Sequence, residues 1–114
     1  MARGRWGEDQ AARWYRDKGY VVLDRNWRCP GGEIDLVVSR RGAAGSETVV
    51  FVEVKARSSD RLGAPAAAVD SRKQRKVRRA AMCWLDAHPG QRGALRFDVV
   101  AITGVRLEVI EAAY

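Results

Sequence analysis

The run Thr48-Val49-Val50-Phe51-Val52-Glu53-Val54-Lys55 constrains the fold more than any other stretch of the chain. Its residues are mostly β-branched or aromatic, the kinds that suit a pleated, packed surface. Alternation puts Val49, Phe51, Glu53 and Lys55 on one face and Val50, Val52 and Val54 on the other. Both faces are apolar, so the strand belongs at the centre of a sheet covered on both sides. The chain offers two helices to cover it. Residues 7–18 carry Glu8, Ala11, Ala12 and Tyr15 on one stripe, ended by Gly19. A second helix starts near residue 65 or 70 and runs to 87, where His88-Pro89-Gly90 closes it. Further strands are expected at 20–24, 33–38, 96–103 and 105–111, with turns at 26–32 and Gly104 and loops at 40–46 and 56–65. The order is α-β-β-β-α-β-β. This is an α/β fold, one domain over residues 1–114, with a central mixed sheet flanked by helices.

Three acids break the apolar pattern. Glu53 and Lys55 lie at the end of a strand that has no obvious solvent face. Asp35 stands between Ile34 and Leu36 on the face shared with Val37. Around the first helix Glu8 is about 40° from Ala12 and about 20° from Tyr15, so it lies on the inward stripe. Buried charge needs a partner, a metal or an open edge. Taken singly, each acid has an ordinary reading: an ion pair for Glu53 and Lys55, a strand end or turn cap for Asp35, a first-turn acid favoured by the helix dipole for Glu8. Together they suit a hard divalent cation such as Mg²⁺ or Mn²⁺, held by Asp35 and Glu53, with Glu8 completing the site or binding a second ion. Lys55 would orient the attacking water. Asp98 is a fourth inward acid, for which a structural hydrogen bond is the expectation.

Charge adds a second theme. The 114 residues include 21 Lys and Arg against 14 Asp and Glu, a net charge of +7, which points to a polyanionic partner. Six of those bases fall between Arg72 and Arg79. Arg72, Arg75, Lys76, Arg78 and Arg79 suit phosphate contacts, against the plainer reading of a solvated helix face. Lys73 leans towards the sheet and the acids, and Arg57 lies within reach of a phosphate near them. Trp84 fits the core, while Trp6 and Trp27 are the candidates for exposure, and His88 caps a helix. Cys29 and Cys83 form no metal pattern and read as reduced thiols. No apolar run is long enough to span a membrane, and a cytoplasmic location is expected.

Gly32-Glu33-Ile34-Asp35, then Phe51-Val52-Glu53-Val54-Lys55-Ala56-Arg57, the helix with Lys73, and Arg96-Phe97-Asp98-Val99-Val100 resemble the YraN-like proteins, a bacterial family. The likeness runs from the first helix to about Ile102. That family is similar in turn to the PD-(D/E)xK nucleases, and within them to archaeal Holliday junction resolvases. The resemblance implies a restriction-endonuclease-like fold. Asp35 matches the superfamily's first acid, Glu53 its second, Lys55 its lysine, and Glu8 the glutamate of the resolvases' first helix. Ile34 stands where many members have proline.

The reading that joins these features is a Mg²⁺- or Mn²⁺-dependent endonuclease acting on DNA, with branched DNA as the implied substrate. Two symmetric cuts would need a homodimer. Two alternatives differ in class: a non-catalytic nucleic-acid-binding module that keeps the nuclease fold, and an interaction protein whose acids form a structural ion cluster.

Overall fold

The strand that dominates the sequence is also the middle of the molecule. The computed structural model describes residues 2–57 and 70–114. In chain order these form α1 (Ala2–Asp17), β1 (Val21–Cys29), β2 (Gly32–Arg41), a 3-10 turn at Ala43–Gly45, β3 (Glu47–Arg57), α2 (Ser71–Ala87), β4 (Ala94–Thr103) and β5 (Arg106–Ile110). The strands lie side by side in sequence order, with β3 central. Only the β3–β4 pair is parallel; the other three neighbouring pairs are antiparallel. The chain between β3 and β4 holds α2, as a parallel pair requires a crossover.

Each face of the sheet has its own apolar layer. Ala11, Ala12 and Tyr15 of α1 pack with Leu36, Val38, Val50, Val52, Val100 and Ile102. Val77, Ala80, Ala81 and Trp84 of α2 pack with Ile34, Val37, Val49, Phe51 and Phe97. The expected alternation of β3 therefore holds, and so does the α/β order with a mixed sheet between helices. Asp98 is fully buried on the α1 side. It accepts from Tyr15 Oη at 2.7 Å, from Arg96 Nε and Nη2 at 2.9 Å each, and from the Ala112 backbone N–H at 3.0 Å. It is a structural acid, as expected. Burial and the Asp98 charge push the Tyr15 hydroxyl far above its usual range.

Several boundaries differ from expectation. The turn expected at 26–32 shrinks to the residues around Pro30 and Gly31, because β1 continues to Cys29. Asn26 makes this possible by taking a left-handed conformation, φ 53°, inside the strand. Arg25 pairs with Leu36 and Trp27 with Ile34, which sets Asn26 across from Asp35. The turn then packs tightly under α2: a Cβ at Gly32 would lie 2.9 Å from the Lys76 carbonyl oxygen. Helix α1 begins near residue 2, so Glu8 lies beyond its first turn and the helix-dipole reading of this acid falls away. Asp70 caps α2, accepting from the Lys73 N–H at 2.9 Å. The expected loop at 56–65 lies outside the described residues from 58 onward, as does the alternative helix start at 65. Trp6 is exposed as expected, whereas Trp27 is half-buried against the α2 layer. Trp84 is buried and donates from Nε1 to Asp24 Oδ2 at 3.0 Å. His88 is the C-cap of α2, with its ring stacked on Trp84 at 4.0 Å.

Candidate active site

The acids gather where β2 and β3 separate. Their ladder is last paired at Leu36 and Val52. Beyond that point the Asp35 side chain takes over: Oδ2 accepts the Val54 N–H at 2.8 Å. Asp35 thus points sideways towards β3, whereas strict alternation places it on the face of Val37. Ile34 and Val37 share the α2 layer while Leu36 and Val38 share the α1 layer, so the alternation breaks at this residue. The break lies opposite Asn26, whose left-handed backbone twists β1 locally.

Glu53 sits on the α2 side, 5% exposed. Lys73, from the first turn of α2, reaches down to it, with Nζ 3.3 Å from Glu53 Oε1. The inward lean expected of Lys73 is present, and it ends on an acid. Glu53 Oε2 is buried with no hydrogen-bond partner among the described residues. Burial, then the charge of Asp35, raise the Glu53 carboxyl from its ordinary 4.5 to about 7, against the lowering effect of Lys73 and Lys55. Asp35 is raised as well, first by burial, and also by the charges of Glu8 and Glu33, against the opposing effect of its Val54 hydrogen bond. Two carboxyls that raise each other in a desolvated place are the kind of arrangement that functional sites use.

Glu8 arrives from the other face. It is 8% exposed, so it does lie on the inward stripe. Helix α1 comes down on the sheet at Gly7, where a Cβ would lie 3.4 Å from Ile102 Cδ1 and 3.5 Å from Val54 Cγ1. Asn26 Nδ2 donates to Glu8 Oε1 at 2.6 Å, and Arg25 Nη2 stands 3.6 Å from the same oxygen. Among the described residues, no three acid, cysteine or histidine side chains stand close enough to form a ready-made metal cage. Two carboxylates with one unpartnered oxygen are a narrower set, and hard oxygen donors of that number fit a Mg²⁺-type ion that keeps its waters. Lys55 is exposed at the end of β3, near enough for its charge to act on Glu53.

The basic face borders this place. Arg72, Arg75, Lys76 and Arg79 are exposed along α2. Arg78 differs: its guanidinium lies over the Phe97 ring at 4.8 Å and the Tyr114 ring at 5.4 Å. Its guanidinium packs on these two rings while the residue stays exposed. The Arg57 side chain lies outside what the structure describes. A cleft of about 310 Å³ opens between the β1–β2 turn and α2, lined by Arg28, Glu33, Lys73 and Lys76 among others.

Two residues of the site escape a reading of the sequence. Asn26 reads as part of a turn, and the usable signal is only that asparagine tolerates the left-handed region better than most residues. Tyr114 brings a buried hydroxyl with no partner among the described residues. Burial and the Glu53 charge push it well above its usual range. Nothing in its sequence context marks it.

Comparison with known proteins decides the family. Residues 7–102 match the family model described as "Uncharacterised protein family UPF0102". The chain belongs to UPF0102, the YraN family. A UPF0102 protein of Frankia casuarinae is 48% identical over 118 residues, covering 99% of this chain and 96% of that protein. A UPF0102 protein of Ralstonia nicotianae is 47% identical over 116 residues, covering 99% of this chain and 86% of the relative. One from Moorella thermoacetica is 43% identical over 118 residues, covering 98% and 94%. Glu8, Asn26, Asp35, Glu53, Lys55 and Lys73 all fall inside the matched segment of this UPF0102 chain.

Proposed function

We propose that this UPF0102 protein is a Mg²⁺- or Mn²⁺-dependent endonuclease of the PD-(D/E)xK kind, with a restriction-endonuclease-like fold, that hydrolyses phosphodiester bonds in DNA. The observation that carries the reading is Glu53: a buried carboxylate raised by its neighbour Asp35, with one oxygen left without a partner among the described residues. A fold does not keep two such acids together for stability, since removing one charge would relieve the strain. Asp35 and Glu53 are the residues that would hold the ion. When bound, it supplies charge neutralisation at the phosphate and a more acidic water.

The chain's own residues do the rest. Asp35 is fixed by the Val54 N–H, so its carboxylate keeps one direction. Lys73 favours the ionised form of Glu53 and offers its ammonium to a phosphate oxygen. Lys55, exposed beside Glu53, orients the attacking water. Glu8 is held by Asn26 and supports the site from α1. Arg72, Arg75, Lys76 and Arg79 bind backbone phosphates without reading sequence, which suits selection by DNA shape. Branched DNA is the substrate we favour, cut by a homodimer that brings two such sites together.

The Lys73–Glu53 pair also fits a second reading, a nucleic-acid-binding module in which lysine permanently replaces the ion. The two part company in one experiment. Junction, flap, nicked and single-stranded DNA are incubated with the full chain and Mg²⁺ or Mn²⁺. The endonuclease reading predicts metal-dependent cleavage that Asp35→Asn, Glu53→Gln and Lys55→Ala each reduce at least about a hundredfold. Salt-sensitive binding with no cleavage under either ion would leave the binding module standing and end the enzyme.

A further inference from the structure

The two cysteines, far apart in the chain, meet in the fold. Cys29 is the last residue of β1 and Cys83 lies in α2; both are half-buried and free. Their thiols are within hydrogen-bonding reach of each other. The packing around them explains why. The β1–β2 turn is pressed under α2, where a Cβ at Gly31 would come 2.6 Å from Arg79 Cδ and one at Gly32 would come 2.9 Å from the Lys76 carbonyl oxygen. Cys83 is one helical turn beyond Arg79, and Cys29 is two residues before Gly31, so both thiols belong to the same seam. Cys29 also lines the open cleft between the turn and the helix, which gives small molecules in solvent a way to its sulfur.

We propose that Cys29 and Cys83 are a redox modification site, two thiols that hydrogen peroxide joins into one intramolecular disulfide tying the end of β1 to α2. The Cys29 sulfur, facing the cleft, attacks one peroxide oxygen. The O–O bond breaks, leaving a sulfenic acid on Cys29, and the other oxygen leaves as water after taking up a proton. The Cys83 sulfur then attacks the sulfenic sulfur, the S–S bond forms, and a second water departs. In sum, two thiols lose two protons and two electrons, and one peroxide becomes two waters. Its hydrogen bond to Cys29, followed by burial, raises the Cys83 thiol, so the second step draws on a small thiolate fraction at neutral pH. The closed loop contains β2 and β3, so oxidation restricts the unfolded chain and stabilises the native one. This site is independent of the endonuclease reading and stands if that reading fails.

The test uses the full chain, reduced and then exposed to stoichiometric hydrogen peroxide. Intact mass should fall by two hydrogens, and tryptic digestion should yield one peptide joining residues 29–40 to 80–92. Dithiothreitol should reverse both changes, and Tm should rise on the order of 10 °C on oxidation. Cys29→Ser and Cys83→Ser should each abolish the linked peptide and melt like the reduced parent. Separate oxidised or unmodified cysteines with no linked peptide, or a disulfide found only between two chains, would overturn the proposal. The peptide map of the unsubstituted protein decides the matter even if a serine variant folds poorly.

Discussion

Glu53 is the residue that matters most to the proposed chemistry, and its energetics are unusual for a core position. Its folded carboxyl is raised to about 7 from an ordinary 4.5, so between those values the native chain holds a proton that the unfolded chain has lost. Stability from this group is therefore fully present below about pH 4.5 and is lost as pH rises through about 7. Glu53→Gln should accordingly stabilise the protein by roughly 1–3 kcal/mol at pH 8, where the buried charge is removed. The gain should vanish near pH 4.5, and chemical denaturation at the two pH values checks both halves. Asn26 is the opposite case, a residue whose strain serves its neighbour. Asn26→Ala keeps the left-handed backbone cost and loses the hydrogen bond to Glu8, and should destabilise by about 1–3 kcal/mol. Asn26→Gly relieves the backbone and loses only the hydrogen bond, so denaturant midpoints should rank it between Ala and the parent. The inward direction of Glu8 and Lys73 is legible in the sequence because helical periodicity fixes angles around an axis. The sideways turn of Asp35 is not, because it follows from a ladder that ends and from a strained residue on the neighbouring strand. Those are tertiary facts, invisible to a period of two.

At the level of elements, the strands and helices are legible in order and type because each carries a run of apolar residues at its own period. Boundaries fail where a residue overrides its usual habit. Asn26 reads as a turn residue and instead kinks a strand that continues to Cys29. The juxtaposition of the β1–β2 turn with α2 is also hidden, since it depends on a close approach that glycine alone permits. Gly32→Ala puts a methyl against the Lys76 carbonyl oxygen, which is backbone and cannot swing aside. That substitution should cost about 1–3 kcal/mol and open the cleft, with faster hydrogen exchange in the β1–β2 turn as the readout. The exposed bases of α2 make a separate prediction. Replacing Arg72, Arg75, Lys76 and Arg79 by glutamine should flatten the dependence of duplex DNA affinity on salt. The slope of log K against log salt should fall by roughly 0.9 for each phosphate that the variant no longer neutralises, measured between about 50 and 200 mM salt. A slope unchanged after all four replacements would mean that DNA does not lie along this helix.

Over the whole molecule, the net charge of +7 conceals an uneven distribution. Bases line one side of α2, while Asp35 and Glu53 sit together at the divergence of two central strands, with Glu8 pressing in from the opposite helix. The sheet is what makes the arrangement possible, since the acids come from three elements that only the β2–β3 separation brings near one another. An anionic hollow beside a cationic helix is the electrostatic layout for holding a phosphate backbone over a divalent ion. Asp35 and Glu53 are the proposed site of that ion. Mn²⁺ titration of the full chain by calorimetry tests it without requiring the right substrate. At about pH 7.5, binding of about one ion per chain is expected, with an affinity that weakens up to about tenfold per unit as pH falls below 7, because Glu53 must lose its proton first. That binding should be lost in Asp35→Asn and in Glu53→Gln. Binding of equal strength in the parent and both variants, or none in the parent at millimolar Mn²⁺, would contradict the claim.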